Sequence, residues 1–220
     1  WGVARDVSCL LDTPAKLPEI TVPECDIPAP GLVTVEAPDL CRRYIGRVIR
    51  NVKVGPSPKW LVERLESIGL RSINNVVDVT NFVLMELGQP LHAFDLDKLE
   101  GKRVVARRAK PGEQITTLDG KTLTLQERHL VIADAVKPMA LAGVMGGEYS
   151  GVTEATTDVL LESAVFFPSN IRATSRELGI SSDSSYRYER GVDYDMASLA
   201  SDRAVQLILA TAGGELASEK

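Results

Sequence analysis

The run Asn74-Asn75-Val76-Val77-Asp78-Val79-Thr80-Asn81-Phe82, continued by Leu87-Gly88-Gln89-Pro90-Leu91-His92-Ala93-Phe94-Asp95, is the stretch from which the fold can be read outward. Asn74 or Asn75 can cap a helix, because a short polar side chain accepts from the orphan N–H groups of the first turn. Val76, Val79, Phe82 and Val83 then follow at helical spacing, and Gly88 before Pro90 supplies the stop. This predicts a helix with Asn81 near its end and His92 just beyond it. A proline-fixed turn would hold His92, with Asp95 three residues on.

Upstream, Arg43 to Val54 is rich in β-branched residues and reads as a strand closed by Gly55-Pro56-Ser57-Pro58. A helix should follow, with Ser57 as cap, Pro58 in its first turn, Leu61, Leu65 and Ile68 as apolar stripe, and Gly69 as left-handed stop. Trp1 to Asp12 also looks helical through Val3, Val7, Leu10 and Leu11. The six prolines from Pro14 to Pro38 predict an extended connector behind it. Downstream, strands are expected at Arg103 to Ala109, Gln114 to Leu118, Lys121 to Leu125, Leu130 to Ala133, Met139 to Val144 and Val159 to Val165. Asp119-Gly120 signals a two-residue hairpin. Ser169 should cap a helix ending at Gly179, and Asp195 should open a longer one whose face carries Met196, Ala200, Ala204, Leu207, Ile208 and Thr211. Strands and helices mix without a βαβ rhythm, so a mixed α/β fold of the α+β class is expected, not a doubly wound sheet.

The 220 residues are 44% hydrophobic and 25% charged, enough for a sizeable core. No apolar run approaches the ~20 residues of a membrane span, and no signal peptide is evident, so no membrane partner is expected. Cys9, Cys25 and Cys41, with only two histidines, give none of the close pairs of a zinc site; no metal ligands are assigned, and reduced thiols fit a cytoplasmic protein. A net charge of −5 argues against the whole surface being a nucleic-acid platform but leaves room for a local basic patch.

Several motifs carry two readings. Gly143-Val144-Met145-Gly146-Gly147 matches neither the dinucleotide fingerprint nor the P-loop; it reads as a tight turn, or as a turn that offers backbone N–H groups to a ligand. His92 is either structural or an acid–base group. Ser163 beside Glu162 lacks the nucleophile elbow of a serine hydrolase. Glu162, inside Val159-Leu160-Leu161-Glu162-Ser163-Ala164-Val165, must face solvent or find a partner, because a buried unpaired carboxylate costs several kcal/mol or becomes protonated. Ser184 to Asp193 combines Arg187 and Arg190 with Tyr186 and Tyr188. These types bind phosphate and stack on bases, but Glu189 and Asp193 can equally turn the segment into a salt-bridged loop.

Four of these segments occur together and in order: Asn74 to Asp95, Ala140 to Gly147, Leu160 to Ala164, and the stretch from Arg176-Glu177-Leu178-Gly179 to Arg187-Tyr188-Glu189-Arg190-Gly191-Val192-Asp193. From about Ala4 to the end the chain resembles the B3/B4 region of the bacterial phenylalanyl-tRNA synthetase beta subunit. Its opening, Trp1-Gly2-Val3-Ala4-Arg5-Asp6, resembles the second half of that family's linker motif, as in an excised piece. The resemblance implies a three-layer B3/B4-type domain with mixed sheets and flanking helices. It would span residues 41–214, behind a helix and connector at 1–40 and ahead of a linker starting at 215–220. It also implies an editing deacylase for tyrosine wrongly attached to tRNA(Phe). Thr80, Asn81 and His92 would then serve catalysis, and Glu162, Gly143, Pro90 and Ala164 the substrate. The implied partners are the tRNA acceptor end and the synthetase alpha subunit of an α₂β₂ enzyme. No cofactor is implied for this piece, whereas ATP and magnesium are implied for the parent enzyme. Two other classes stay open: a non-catalytic tRNA-positioning scaffold, and a free-standing deacylase acting in trans.

Overall fold

A computed structural model describes residues 1–23 and 31–217; Cys25, Pro28 and Pro30 of the expected connector, and the end of the expected linker, lie outside the described residues. The chain forms helix α1 (Gly2–Leu11), strands β1 (Val33–Val35) and β2 (Cys41–Arg50), then helices α2 (Lys59–Glu66) and α3 (Val77–Leu87). Strands β3 (Leu91–Asp95), β4 (Val104–Arg108), β5 (Gln114–Thr116), β6 (Thr122–Thr124), β7 (Leu130–Ala133), β8 (Pro138–Leu141), β9 (Met145–Gly146) and β10 (Val159–Phe166) follow. Helices α4 (Pro168–Leu178), α5 (Asp183–Tyr188) and α6 (Met196–Ala212) and strand β11 (Glu215–Leu216) complete it.

Strand β10 organises the layers. It pairs antiparallel with β2 and β3 inside the sheet β11-β2-β10-β3, and all eight of its residues are buried. Successive side chains leave a strand on opposite faces. Leu160, Ala164 and Phe166 therefore pack with Val104, Ala106, Leu130, Ile132 and Leu141 of the second sheet, β1-β4-β7-β8-β9. Val159 and Leu161 point the other way, into Val76, Val79 and Val83 around α3 and Ala200, Ala204 and Ile208 of α6. The result is helices, sheet and sheet in three layers, an α+β arrangement in which β1 is parallel to β4 and its neighbours are antiparallel.

Most expected elements form, with local differences that have physical causes. Asn74 does cap α3, accepting from the N–H groups of Val76 (3.1 Å) and Val77 (2.9 Å). Asn81 sits in the middle of that helix, and His92 lies in strand β3, paired with Glu162, because the turn at Gly88 is complete before Leu91. Ser57 caps nothing; its hydroxyl donates to Asp78 (2.6 Å), and Pro58 is the N-cap of α2. Of the α2 stripe, Leu61 and Leu65 are buried and Ile68 is exposed. The β5–β6 turn encloses three residues, Leu118 to Gly120, inside the hydrogen bond from the Thr117 N–H to the Lys121 carbonyl, and Gly120 takes the left-handed conformation. Met139 to Val144 breaks at Leu141 into a hairpin, and α4 begins at Pro168, with Ser169 inside its first turn. Val33–Val35 and Glu215–Leu216, expected as connector and linker, are strands, and Ser182 builds a capping box for the unexpected α5. Helix α1 forms, but Val3, Leu10 and Leu11 on its apolar stripe are exposed.

Candidate functional site

At the open edge of β3 lies a cavity of about 430 Å³, inside the ~300–1,000 Å³ range of small-molecule sites. Residues 77, 80, 81 and 84 share one face of α3 and form one wall. Pro90, Leu91 and His92 lead from the helix stop into β3, the turn from Ala142 to Val144 faces them, and Glu162 and Tyr188 close the interior. Thr80, Asn81, Pro90, His92, Gly143 and Glu162 therefore line one space. Ala164 does not; its methyl group is in the core, and its carbonyl accepts from Gln89 Nε2 (2.9 Å) and Tyr188 Oη (3.2 Å).

Glu162 and His92 are direct partners across the β10–β3 pair, so their side chains leave the sheet on the same face. Glu162 is 6% exposed, and its carboxylate accepts a hydrogen bond from the Tyr44 hydroxyl at Oε2 (2.6 Å). Burial pushes its pKa up to about 7, against the opposing pull of Tyr44. His92 packs edge-on to Phe94, with ring centres 4.5 Å apart, and its buried Nε2 has no hydrogen-bond partner among the described residues. Desolvation lowers its pKa to about 4, so the imidazole is neutral at pH 7. Gly146 makes room for it, since a Cβ there would come within 2.7 Å of His92 Cε1. Asp95 is on the opposite face, accepting from Thr156 Oγ1 (2.7 Å), and does not serve the histidine. Ser163 likewise faces away and donates to the Ala197 carbonyl (2.7 Å).

The turn at Gly143 is set by backbone geometry. Gly143 has φ +67, and a Cβ would approach Phe166 Cδ2 at 2.9 Å, so both conformation and packing require glycine. The flanking N–H groups are used: Ala142 donates to Leu130, Val144 to Leu141 and Gly147 to Met139. Among the described residues the Gly143 N–H has no such acceptor. Ser182 fixes the turn by donating to the Val144 carbonyl (2.7 Å). On α3, the Thr80 hydroxyl is spent on the Val77 carbonyl (2.7 Å), whereas the Asn81 side chain bonds to no other described residue.

Sequence reasoning missed Tyr44 and Tyr188. Both phenols are held well above the ordinary value by burial first and by the Glu162 charge second, and Tyr188 Oη donates to the Pro90 carbonyl (3.2 Å). Tyr188 and Arg187 fall in the segment whose sequence allows either phosphate binding with base stacking or a salt-bridged loop. Arg187 does pair with Asp183 (3.1 Å), on a short helix instead of a loop, and Arg190 pairs with Glu189 (2.5 Å) just past the end of that helix. The missed signal was alternation: Tyr44, Gly46 and Val48 share one face of β2, and only Gly46 offers no side chain.

The family profile described as the B3/4 domain matches residues 40–213. The chain is 54% identical over 219 residues to the phenylalanine–tRNA ligase beta subunit of Moorella thermoacetica, a match covering 98% of this chain and 27% of that protein. It is 52% identical over 217 residues to the protein of the same name from Syntrophus aciditrophicus, with the same coverage. The chain thus spans about a quarter of the length of these relatives. A crystal structure of an N-terminal fragment of the Pyrococcus horikoshii phenylalanyl-tRNA synthetase beta subunit superposes with a TM-score of 0.55 at 15% identity, over 90% of this chain and 54% of that one, which is a likeness of fold. With its three layers and a family match over most of its length, the chain belongs to the B3/4 domain family, in the form found in phenylalanine–tRNA ligase beta subunits.

Proposed function

We propose that this domain hydrolyses tyrosine from mischarged tRNA(Phe) as the editing module of a phenylalanine–tRNA ligase, whose alpha subunit and tRNA acceptor end are its partners. The observation that carries this reading is the pairing of a buried carboxylate, Glu162, with an imidazole, His92, whose Nε2 has no partner among the described residues, in one cavity. A pocket that merely accommodates a phenyl ring discriminates weakly against one that adds a hydroxyl; a site that hydrogen-bonds the hydroxyl rejects the ring lacking it by ~10⁴ or more. Glu162 accepts from the tyrosine phenol, and phenylalanine would leave the desolvated carboxylate without that donor.

Hydrolysis requires water to attack the ester carbonyl carbon and the bond to the terminal ribose oxygen to break, with a proton passing to that oxygen. The Asn81 amide and the Gly143 N–H are the donors available to the developing oxyanion. A pKa of about 4 makes full protonation of His92 at pH 7 costly, on the order of 4 kcal/mol, so it serves better by orienting the water or the ester through a hydrogen bond than by carrying the proton. ATP and magnesium belong to the aminoacylation step of the parent enzyme; among the described residues no group of three His, Cys, Asp or Glu side chains is arranged to hold a metal ion.

The test is single-turnover deacylation of tyrosyl- and phenylalanyl-tRNA(Phe). His92→Ala should slow release of tyrosine ~10–10³-fold. Glu162→Ala should shrink the preference for the tyrosyl ester by ~1.5–3 kcal/mol, because it removes both the acceptor and the penalty of an unpaired charge. A wild-type chain inert toward both esters would instead favour a tRNA-positioning scaffold.

A further inference from the structure

Glu162 has two oxygens, and the fold uses only one of them. Tyr44 sits opposite Ala164 on the β2–β10 pair, and Glu162 sits opposite Gly46, so the hydrogen bond from Tyr44 Oη to Glu162 Oε2 (2.6 Å) runs diagonally between them. Two small residues make that diagonal available. Ala164 presents only a methyl group beside the phenol, and Gly46 presents nothing beside the carboxylate; a Cβ at Gly46 would meet Val33 Cγ2 at 2.8 Å. Tyr44 is itself fixed against the core between the two sheets. Among the described residues no donor reaches Oε1, and Glu162 lines the cavity.

We propose that Tyr44 is a positioning residue for selectivity: its hydroxyl occupies Oε2 permanently, orients the carboxylate, and leaves Oε1 as the single acceptor offered to a phenolic ligand in the cavity. The proposal rests on the editing reading for the identity of that ligand, but not for the hydrogen bond itself. Without the Tyr44 donor, a carboxylate this buried would take up a proton more readily. A protonated Glu162 can still bond a phenol, yet it no longer punishes a phenyl ring with an unpaired charge. Discrimination would then fall at neutral pH and return as the pH rises.

The groups facing Glu162 leave this titration uncluttered. Cys41 on β2 is pushed up to about 12 and Tyr44 well above its ordinary value, both by burial first. Tyr188 on α5 is likewise raised, and His92 on β3 is lowered to about 4. All four are neutral near pH 7, where Glu162 changes charge.

The experiment follows the Glu162 carboxyl carbon by NMR in the ligand-free 220-residue chain, assigned by its loss in Glu162→Gln, in wild type and Tyr44→Phe. The midpoint should lie near 7 in wild type and move up by on the order of one unit in Tyr44→Phe. An unchanged midpoint overturns the proposal. Should Tyr44→Phe lose the wild-type fold, the 3-fluorotyrosine-labelled wild-type chain still reports: the Tyr44 fluorine resonance must follow the Glu162 titration, and a resonance indifferent to it overturns the proposal. In deacylation, Tyr44→Phe should lower the tyrosyl-to-phenylalanyl rate ratio by about 5-fold at pH 7, in step with the smaller ionised fraction of Glu162, with recovery toward pH 8.5; a loss equal for both esters at every pH would reduce Tyr44 to general packing. Titrations that behave as expected in a chain inert toward both esters would count against the editing reading while leaving the Tyr44–Glu162 device standing.

Discussion

Asn75 and Asp78 lie within about two helical turns of Asn81, yet their polar atoms are treated in opposite ways. Asn75 accepts from the Gly55 N–H (3.0 Å) and donates to the Lys53 and Thr211 carbonyls (3.0 Å each), tying the end of the β2 connection to α6. Asp78, fully buried, accepts from Ser57, Ser72 and the Ile73 N–H. Among the described residues, Asn81 and the His92 Nε2 at the cavity have no such partners. A buried polar group without a partner costs free energy, so scaffold positions are saturated as a rule.

That contrast can be broken by mutation. Asp78→Ala strands three donors and should cost the most, roughly 3 kcal/mol by chemical denaturation, while single-turnover hydrolysis per folded molecule changes little. A loss below about 1 kcal/mol would mean that the scaffold side of the comparison is overstated.

A pH comparison sharpens the other side. Glu162 is raised from 4.5 to about 7, so the native state binds its proton more tightly than the unfolded chain, and stability falls as pH rises through that window. His92 is lowered from 6.5 to about 4, so stability falls as pH drops through the overlapping window. In wild type the two slopes oppose each other. Relative to wild type, Glu162→Gln should gain on the order of 2–3 kcal/mol as pH rises from 4.5 to about 7, and His92→Asn a similar amount as pH falls from 6.5 to about 4. Denaturation free energies that run parallel to wild type across both windows would contradict these buried titrations.

Asn81→Ala should have the smallest effect on stability, within about 0.5 kcal/mol, while slowing tyrosyl ester hydrolysis ~10–10²-fold. Stability lost without any change in rate would move Asn81 to the scaffold.

The sequence made the long apolar periodicities readable: the core face of α3, the α6 face through Ala200, Ala204 and Ile208, and the buried run of β10 all lie where spacing put them. His92 was displaced because proline and glycine mark a turn without stating where the next strand begins. Short strands such as Val33–Val35 carry too little pattern of their own and owe their existence to pairing with Val104–Ala106. Thr80, Asn81, Pro90, His92, Gly143 and Glu162 of the cavity lining were named through resemblance to a family and not through spacing. Tyr44 escaped because an aromatic residue in a strand looks like any core aromatic, and its partner is 118 positions away.

That separation matters while the chain is being made. At the ~5–20 residues per second of protein synthesis, Glu162 emerges roughly 6–24 s after Tyr44. Throughout that interval β2 waits beside the space that β10 will fill, with apolar residues on both faces and unpaired backbone along its length. Strand β10, which carries Glu162, is therefore also the strand that pairs along the length of β2, and chains truncated short of Phe166 should be prone to aggregation.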